Sequence, residues 1–201
     1  MSIVHLLGNG DSAQIFNNVE REPKDKVLIC NVPPFTVRKV FACIMVDFKM
    51  MAALSEGSVN LNAYDWVLGT RPQRYMEMFP SFYLQYAPRI KDFYTTVPPY
   101  AGSATDFNCG HMAAHYACSK LKCSELHMYG FDSIFDYSLR SSSDLFLESD
   151  RGQMNNHRLI NIWRPIWEGI FNEHPQVKFV LHHTHNNAKI AFPDNVEVRT
   201  P

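Results

Sequence analysis

What this chain lacks narrows the field first. No apolar run reaches the roughly 18 residues that a bilayer-spanning helix needs, and no secretory leader pattern opens the sequence. The expectation is a cytoplasmic protein without a transmembrane segment. An excess of charge is missing too. The 19 Lys and Arg against 20 Asp and Glu leave a net charge of −1, so no basic field awaits a polyanion and nucleic acid is not expected as a partner. The five cysteines (30, 43, 109, 118 and 123) contain no C-x-x-C pair, and an odd number does not build a disulfide framework. Reduced thiols fit that pattern. Internal repeats and low-complexity tracts are absent. With 201 residues and 46% hydrophobic content, the chain has the size and composition of one globular domain spanning 1–201.

What is present begins at the first residues. Ile3 to Leu7 is a short apolar run of the kind that forms a strand buried on both faces. It ends in Gly8-Asn9-Gly10, with Asp11 and Ser12 as N-cap candidates for a helix starting near Ala13. Glycines let the backbone turn sharply and approach a ligand, while the N–H groups of the next helix favour negative charge. The stretch satisfies the loose form G-x-G-x-x-A of the dinucleotide fingerprint. A tight strand-to-helix turn needs the same glycines for geometry alone. If the turn holds a nucleotide, Gly10→Val should remove binding and leave the fold intact.

Further apolar runs follow at Lys26–Asn31, Val40–Asp47, Asp65–Thr70, Glu125–Tyr129 and Val177–Leu181, each read as a strand. Helical patterns lie between them: Phe48–Leu54, a short helix and loop within Arg71–Tyr83, a small-residue helix over His111–Leu121, and a run from His157 through Phe171 that Pro165 must kink or restart. Tyr94–Ser103 reads as a mobile loop and 138–156 as a polar flexible flap. The tail from Ala191 reads as a loop with room for an edge strand. Strands alternating with helices predict an α/β fold, a single doubly wound, Rossmann-like domain with a mostly parallel sheet. Ligands in such sheets sit at the carboxyl ends of the strands, which would gather Gly8, Asn9, Gly10, Asn31 and Asp47 in one crevice. Asn31 stands where a dinucleotide enzyme carries an acid, which speaks against NAD. Asp47 equally suits a helix cap.

The ordered set of motifs resembles glycosyltransferase family 42, the bacterial sialyltransferases, and a wider group that includes pterin diphosphokinase-like proteins. The resemblance rests on strand-Gly8-Asn9-Gly10-Asp11-Ser12, then strand-Cys30-Asn31, Cys109-Gly110 before a small-residue helix, Leu126-His127-Met128-Tyr129-Gly130-Phe131-Asp132, and His157 before a helix and a strand. It implies an inverting transferase that moves a sialic-acid-like sugar from a CMP-linked donor to a glycan hydroxyl, the donor being a co-substrate and no cofactor being needed. Carried over by position, the Gly8–Ser12 turn, Asn9 and Asn31 would hold the nucleotide, with Asp47, Cys109, Gly110 and Asp132 beside it. His157 would be the general base and Tyr137 the phenol at the leaving phosphate. The chain departs from the family at Asp11, where a proline is usual, and at Ile134, near which a tyrosine is usual. Two other readings share the scaffold. One is a nucleotide- or pterin-diphosphate transferase, with Asp47 and Asp132 around a divalent cation. The other is a catalytically silent nucleotide- or glycan-binding protein.

Each candidate has a plainer role beside it. A histidine before a helix can be a solvated loop residue, although imidazole titrates nearest to the working range of a base. His111, His115 and the run His182-His183-Thr184-His185 invite a zinc reading. On a strand, however, only 183 and 185 share a face, so no metal is expected. Cys109 before a helix could be an activated thiol, but no positioned base accompanies it, and packing near the ligand is the simpler role. Trp163 and Trp167 read as core.

Overall fold

The computed structural model describes residues 2–136 and 155–201; Tyr137 and most of the expected flap lie outside them. Eight strands form one sheet: β1 (Ile3–Leu7), β2 (Lys26–Cys30), β3 (Ala42–Met45), β4 (Trp66–Leu68), β5 (Ile90–Phe93), β6 (Glu125–Tyr129), β7 (Lys178–His182) and β8 (Val196–Arg199). Their order is β5-β4-β3-β2-β1-β6-β7-β8, and every pairing is parallel. The doubly wound, Rossmann-like α/β expectation is met, with the sheet wholly rather than mostly parallel.

The strands are legible as unbroken apolar runs because helices cover both sides. In β2, Val27 and Ile29 join one buried cluster while Leu28 and Cys30 join the other. The first cluster packs under α1 (Phe48–Glu56), α2 (Thr70–Met78) and α3 (Pro80–Tyr86). The second packs under α4 (Cys109–Ser119) and α6 (Arg164–Glu173). The chain lays down β1 to β5 in one direction. It then returns through α4, which packs over β1, β2, β3 and β6, and places β6 on the free side of β1. Sheet order therefore reverses between β1 and β6.

Two elements differ from their sequence reading. The first connection is a 3₁₀ helix over Asp11–Asn18, and neither Asp11 nor Ser12 caps it; the cap position is Gly10. Arg71–Tyr83 holds two successive helices rather than a helix and a loop, with Pro80 at the first turn of the second, where its missing N–H costs nothing. Pro165 does start a second helix, as its position requires: α6 begins at Arg164 with the proline in its first turn, where its missing N–H costs nothing. It is reached from α5 (Asn155–Arg158) through a π turn (Leu159–Trp163). The tail does supply an edge strand, β8, parallel to β7.

One part of the sheet is polar inside. His5 on β1, His127 and Tyr129 on β6 and His182 on β7 form a stack of rings, with His5 5.1 Å from His127 and Tyr129 4.3 Å from His182 between centroids. His5 Nδ1 meets the Tyr129 hydroxyl at 3.1 Å, and His127 Nδ1 meets His182 Nε2 at 2.9 Å. Burial pushes His5 down to about 4, with the neighbouring His127 adding to the effect, and His182 down to about 4 for the same reasons. His111 in α4, fully buried, is pushed down to about 3. These rings are neutral in the folded chain, whereas unfolding returns them to the ordinary value of 6.5. Below that value the unfolded chain binds protons the folded chain refuses, so stability is kept above pH 6.5 and lost as pH falls toward 4. Each of His5 and His111 should cost on the order of 3 kcal/mol over that window. Urea midpoints at about pH 7 and about pH 4.5 measure this, and His5→Gln should flatten the dependence.

Candidate functional site

At the reversal point the carboxyl ends of β1, β6, β2 and β3 open onto a crevice of about 380 Å³. That size falls in the range of small-molecule sites, which run from about 300 to 1,000 Å³. Gly8, Asn9 and Gly10 after β1, Asn31 after β2, Asp47 after β3, Cys109 and Gly110 at the start of α4, and Asp132 after β6 all line it. So do four residues that sequence reasoning did not select: Arg71, Asn108, Arg158 and Trp163. Two of the expected residues stand apart. Ser12 is buried behind the wall, and His157 is exposed on α5, its carbonyl accepting from Asn161 Nδ2 at 3.0 Å. Its neighbour Arg158 lines the crevice.

Three amides of the glycine turn are engaged within the protein: Gly8 N–H donates to Tyr129 O at 2.7 Å, Gly10 N–H to Gly130 O at 3.0 Å, and Ser12 N–H to Asp132 Oδ2 at 3.2 Å. The Ser12 hydroxyl makes a short contact with Asp132 Oδ1 and accepts from Gly130 N–H at 3.1 Å. An added Cβ at Gly8 would lie 2.6 Å from Gly130 O, and one at Gly10 would lie 2.6 Å from Asp132 Oδ2 and 2.9 Å from Gly130 O. These glycines let the turns after β1 and β6 touch, and Ser12 fastens them. The expectation that Gly10→Val spares the fold is therefore corrected: the new side chain meets a carboxylate and a backbone carbonyl, not a ligand.

Anion-binding character lies on the opposite wall. Asn108 caps α4, its Oδ1 accepting from His111 N–H at 3.0 Å, while its own N–H donates to His111 Nδ1 at 3.3 Å. That leaves His111 Nε2–H to donate to Trp163 O at 3.1 Å, which fixes the neutral ring and ties α4 to the last helix. The first-turn amides of α4 start at the crevice, with Cys109 and Gly110 in its lining. Gly110 is required because a Cβ would stand 2.7 Å from the Phe131 ring. Cys109 Sγ donates to Ile44 O at 2.9 Å, and burial pushes this thiol well above its ordinary range. It is a packing residue rather than a nucleophile.

Charge on the walls is paired. Arg71 donates to Asp47 Oδ1 at 2.6 Å, so Asp47 occupies the cap position of α1 without capping it. Arg158 donates to Asp106 Oδ1 at 3.0 Å and to Thr105 O at 3.1 Å. Three polar atoms of the lining residues make no hydrogen bond among the described residues: Asn31 Oδ1, Arg71 Nε and Trp163 Nε1. Asn31 is 7% exposed and holds a left-handed backbone with φ of 51°, a conformation that asparagine tolerates better than most residues. Buried orphan groups are costly and scarce, and three of them belong to residues of this lining.

The histidines considered for zinc do not converge as that reading required. His111 is engaged with Trp163, His115 faces Glu173, and His183 and His185 face Asp136. Comparison with known family models, curated proteins and solved structures finds no match to this chain.

The latch between the two turns is open to test. Gly10→Ala should lower stability by about 1–3 kcal/mol, a typical overpacking cost, read from the denaturant midpoint. An unchanged midpoint would show that the turns do not press on each other.

Proposed function

We propose that the crevice binds a nucleotide-linked sugar, CMP-linked by the resemblance to glycosyltransferase family 42, and that the chain transfers the sugar to a glycan hydroxyl. The observation that carries this reading is the set of orphan groups at the switch point: Asn31 Oδ1, an acceptor, and Arg71 Nε and Trp163 Nε1, donors, all belong to residues that line the crevice. An amino-bearing base or a ribose hydroxyl satisfies Asn31 Oδ1. Phosphate and sugar carboxylate groups satisfy the donors and the amides of α4, and two guanidinium groups match two anionic groups. In the transfer step the acceptor hydroxyl loses its proton as its oxygen bonds to the anomeric carbon, and the bond to phosphate breaks on the other face. His157 is the base in this reading. It is exposed and next to Arg158, so it meets an acceptor that must arrive from solvent. Charge developing on the departing phosphate falls to the α4 amides and Arg71. The phenol role of Tyr137 concerns a residue outside the described ones.

The diphosphate-transferase reading has less support. Both carboxylate oxygens of Asp132 are engaged by Ser12, and Asp47 would have to give up its pair with Arg71 to hold a cation.

Two measurements test the proposal. In calorimetry CMP should bind more tightly than UMP, and Asn31→Ala should weaken CMP about five- to tenfold, the value of one hydrogen bond. Equal affinity for the two nucleotides removes the case for a CMP-linked donor. In a transfer assay His157→Ala should lower the rate by about 10²- to 10⁴-fold with CMP affinity kept. An undiminished rate removes His157 as the base, and CMP binding without turnover in the unaltered chain leaves a silent binder.

A further inference from the structure

Away from the crevice, two groups of metal-ligating side chains come together: Asp136 with His183 and His185, and His115 with Glu173 and His174. Hydrogen bonding separates them. In the first, His183 Nδ1 accepts the His185 N–H and His185 Nδ1 accepts the Asn187 N–H, both at 3.3 Å. With Nδ1 acting as acceptor, the proton of each neutral ring is on Nε2, which faces Asp136 at 3.2 and 3.0 Å. Those nitrogens donate to a carboxylate and present no lone pair to a metal.

The second group has the opposite arrangement. His115 lies on α4, Glu173 is the last residue of α6 and His174 is its C-cap. His115 is 3% and His174 7% exposed, and Nε2 of each is buried without a hydrogen bond. His115 Nδ1 lies 2.6 Å from the Tyr94 hydroxyl, a contact that can take the Nδ1 proton and leave the Nε2 lone pair outward, as ligating histidines require. Glu173 Oε2 stands 3.2 Å from His115 Nε2 and 3.8 Å from His174 Nε2. At 3.2 Å it is close enough to His115 Nε2 for a hydrogen bond yet off the direction of one. A tetrahedral zinc with bonds of about 2.0–2.1 Å has ligand–ligand edges of about 3.3 Å, which these separations bracket. The carboxylate is itself oriented: Tyr100 donates to Glu173 Oε2 at 2.6 Å. The Tyr100 ring lies on Gly169, where any Cβ would come within 2.5 Å of it.

We propose that His115, Glu173 and His174 bind one divalent transition-metal ion of the zinc type, through two Nε2 atoms and one carboxylate oxygen, with water in the fourth position. Glu173 is partly exposed and gives the ion its entry. The ion ties α4 to the end of α6, with Tyr94 and Tyr100 as the outer partners that aim the ligands. No part of the crevice enters the argument, so the site stands or falls independently of the proposed function.

The test uses the full chain, stripped with a chelator and titrated with Zn²⁺ alone against a chromophoric competitor. About one equivalent should bind, and the melting temperature should rise with Zn²⁺ and fall back with chelator. Co²⁺ in its place should show the intense visible bands of a tetrahedral ion. Glu173→Gln and His174→Gln, at partly exposed or terminal helix positions that should not unfold the chain, should each lose the bound equivalent, the shift and the bands. His185→Ala, in the other cluster, should keep all three. Absence of a stoichiometric equivalent in the unaltered chain overturns the proposal. So does retention of the ion in both Gln variants, and so does its loss in His185→Ala, which would move the site to Asp136.

Discussion

Two neighbouring parallel strands that send their chains to opposite faces cannot both be followed closely by covering structure, and a gap opens where they part. Here β1 and β6 are those strands, and the gap is held by contact between backbones. Gly8 and Gly10 lie against Gly130, whose φ of 78° is a left-handed conformation glycine adopts without penalty. Ser12 then reaches across to Asp132 and to the Gly130 amide. The Asp132 carboxylate thus sits where the amides of the first helix would otherwise meet an anion. On this side of the crevice the Gly8, Gly10 and Ser12 amides are engaged in holding the two turns together. Anion-binding capacity is displaced to the α4 start and to the guanidinium groups across the opening.

This division explains what could be read in advance. The central strands announce themselves because a strand covered on both faces must be apolar at every position, as Val27 to Cys30 and Ala42 to Met45 are. By contrast β5, Ile-Lys-Asp-Phe at a sheet edge, carries the charges that guard an open edge and lacks the apolar signature, so it escaped notice. The π turn at Leu159–Trp163 was hidden because Pro165 marks where a second helix starts without stating how the chain reaches it. In the site, Asn31 and Asp47 were legible from the carboxyl-end rule alone. Arg71 follows β4 by the same rule and could have been found with them. Arg158 could not, because its reach depends on where the last helix crosses the sheet. Nor could the engagement of the glycine amides, since glycines demanded by backbone contact and glycines demanded by a phosphate write the same letters.

Unsatisfied buried polar atoms give a second, independent map. Among the described residues they fall in three places: the crevice (Asn31, Arg71, Trp163), the edge of the histidine stack (His5 Nε2 and Asp25 Oδ1) and the α4–α6 junction (His115, His174). At the stack His5 Nε2 stands 3.5 Å from Asp25 Oδ2, a loose pair. At the α4–α6 junction His115 Nε2 stands 3.2 Å and His174 Nε2 3.8 Å from Glu173 Oε2. Asn31 offers an acceptor too far inside for bulk water, and the two Nε2 atoms converge beside a carboxylate. Desolvating such groups costs about 1–3 kcal/mol each, and the two proposals above rest on these two clusters.

The crevice and the α4–α6 junction are mechanically one object. Six residues of α4 separate Cys109 at the crevice from His115, about 9 Å along the axis, and ten residues of helix separate Trp163 from Glu173, about 15 Å. His111 already joins the two helices near the crevice through Trp163. The metal tie proposed for His115, Glu173 and His174 would add a second fixed point further down. Two helices joined at one point can pivot; joined at two, they move only as a body. With that ion bound, a change in crevice width would have to come from the opposite wall, where Arg71 and Asp47 are held to each other. That pair is also the contact an incoming anion would have to compete for. Ligand entry and wall movement thus act on the same salt bridge, which is where the chemistry of binding and the mechanics of the fold meet.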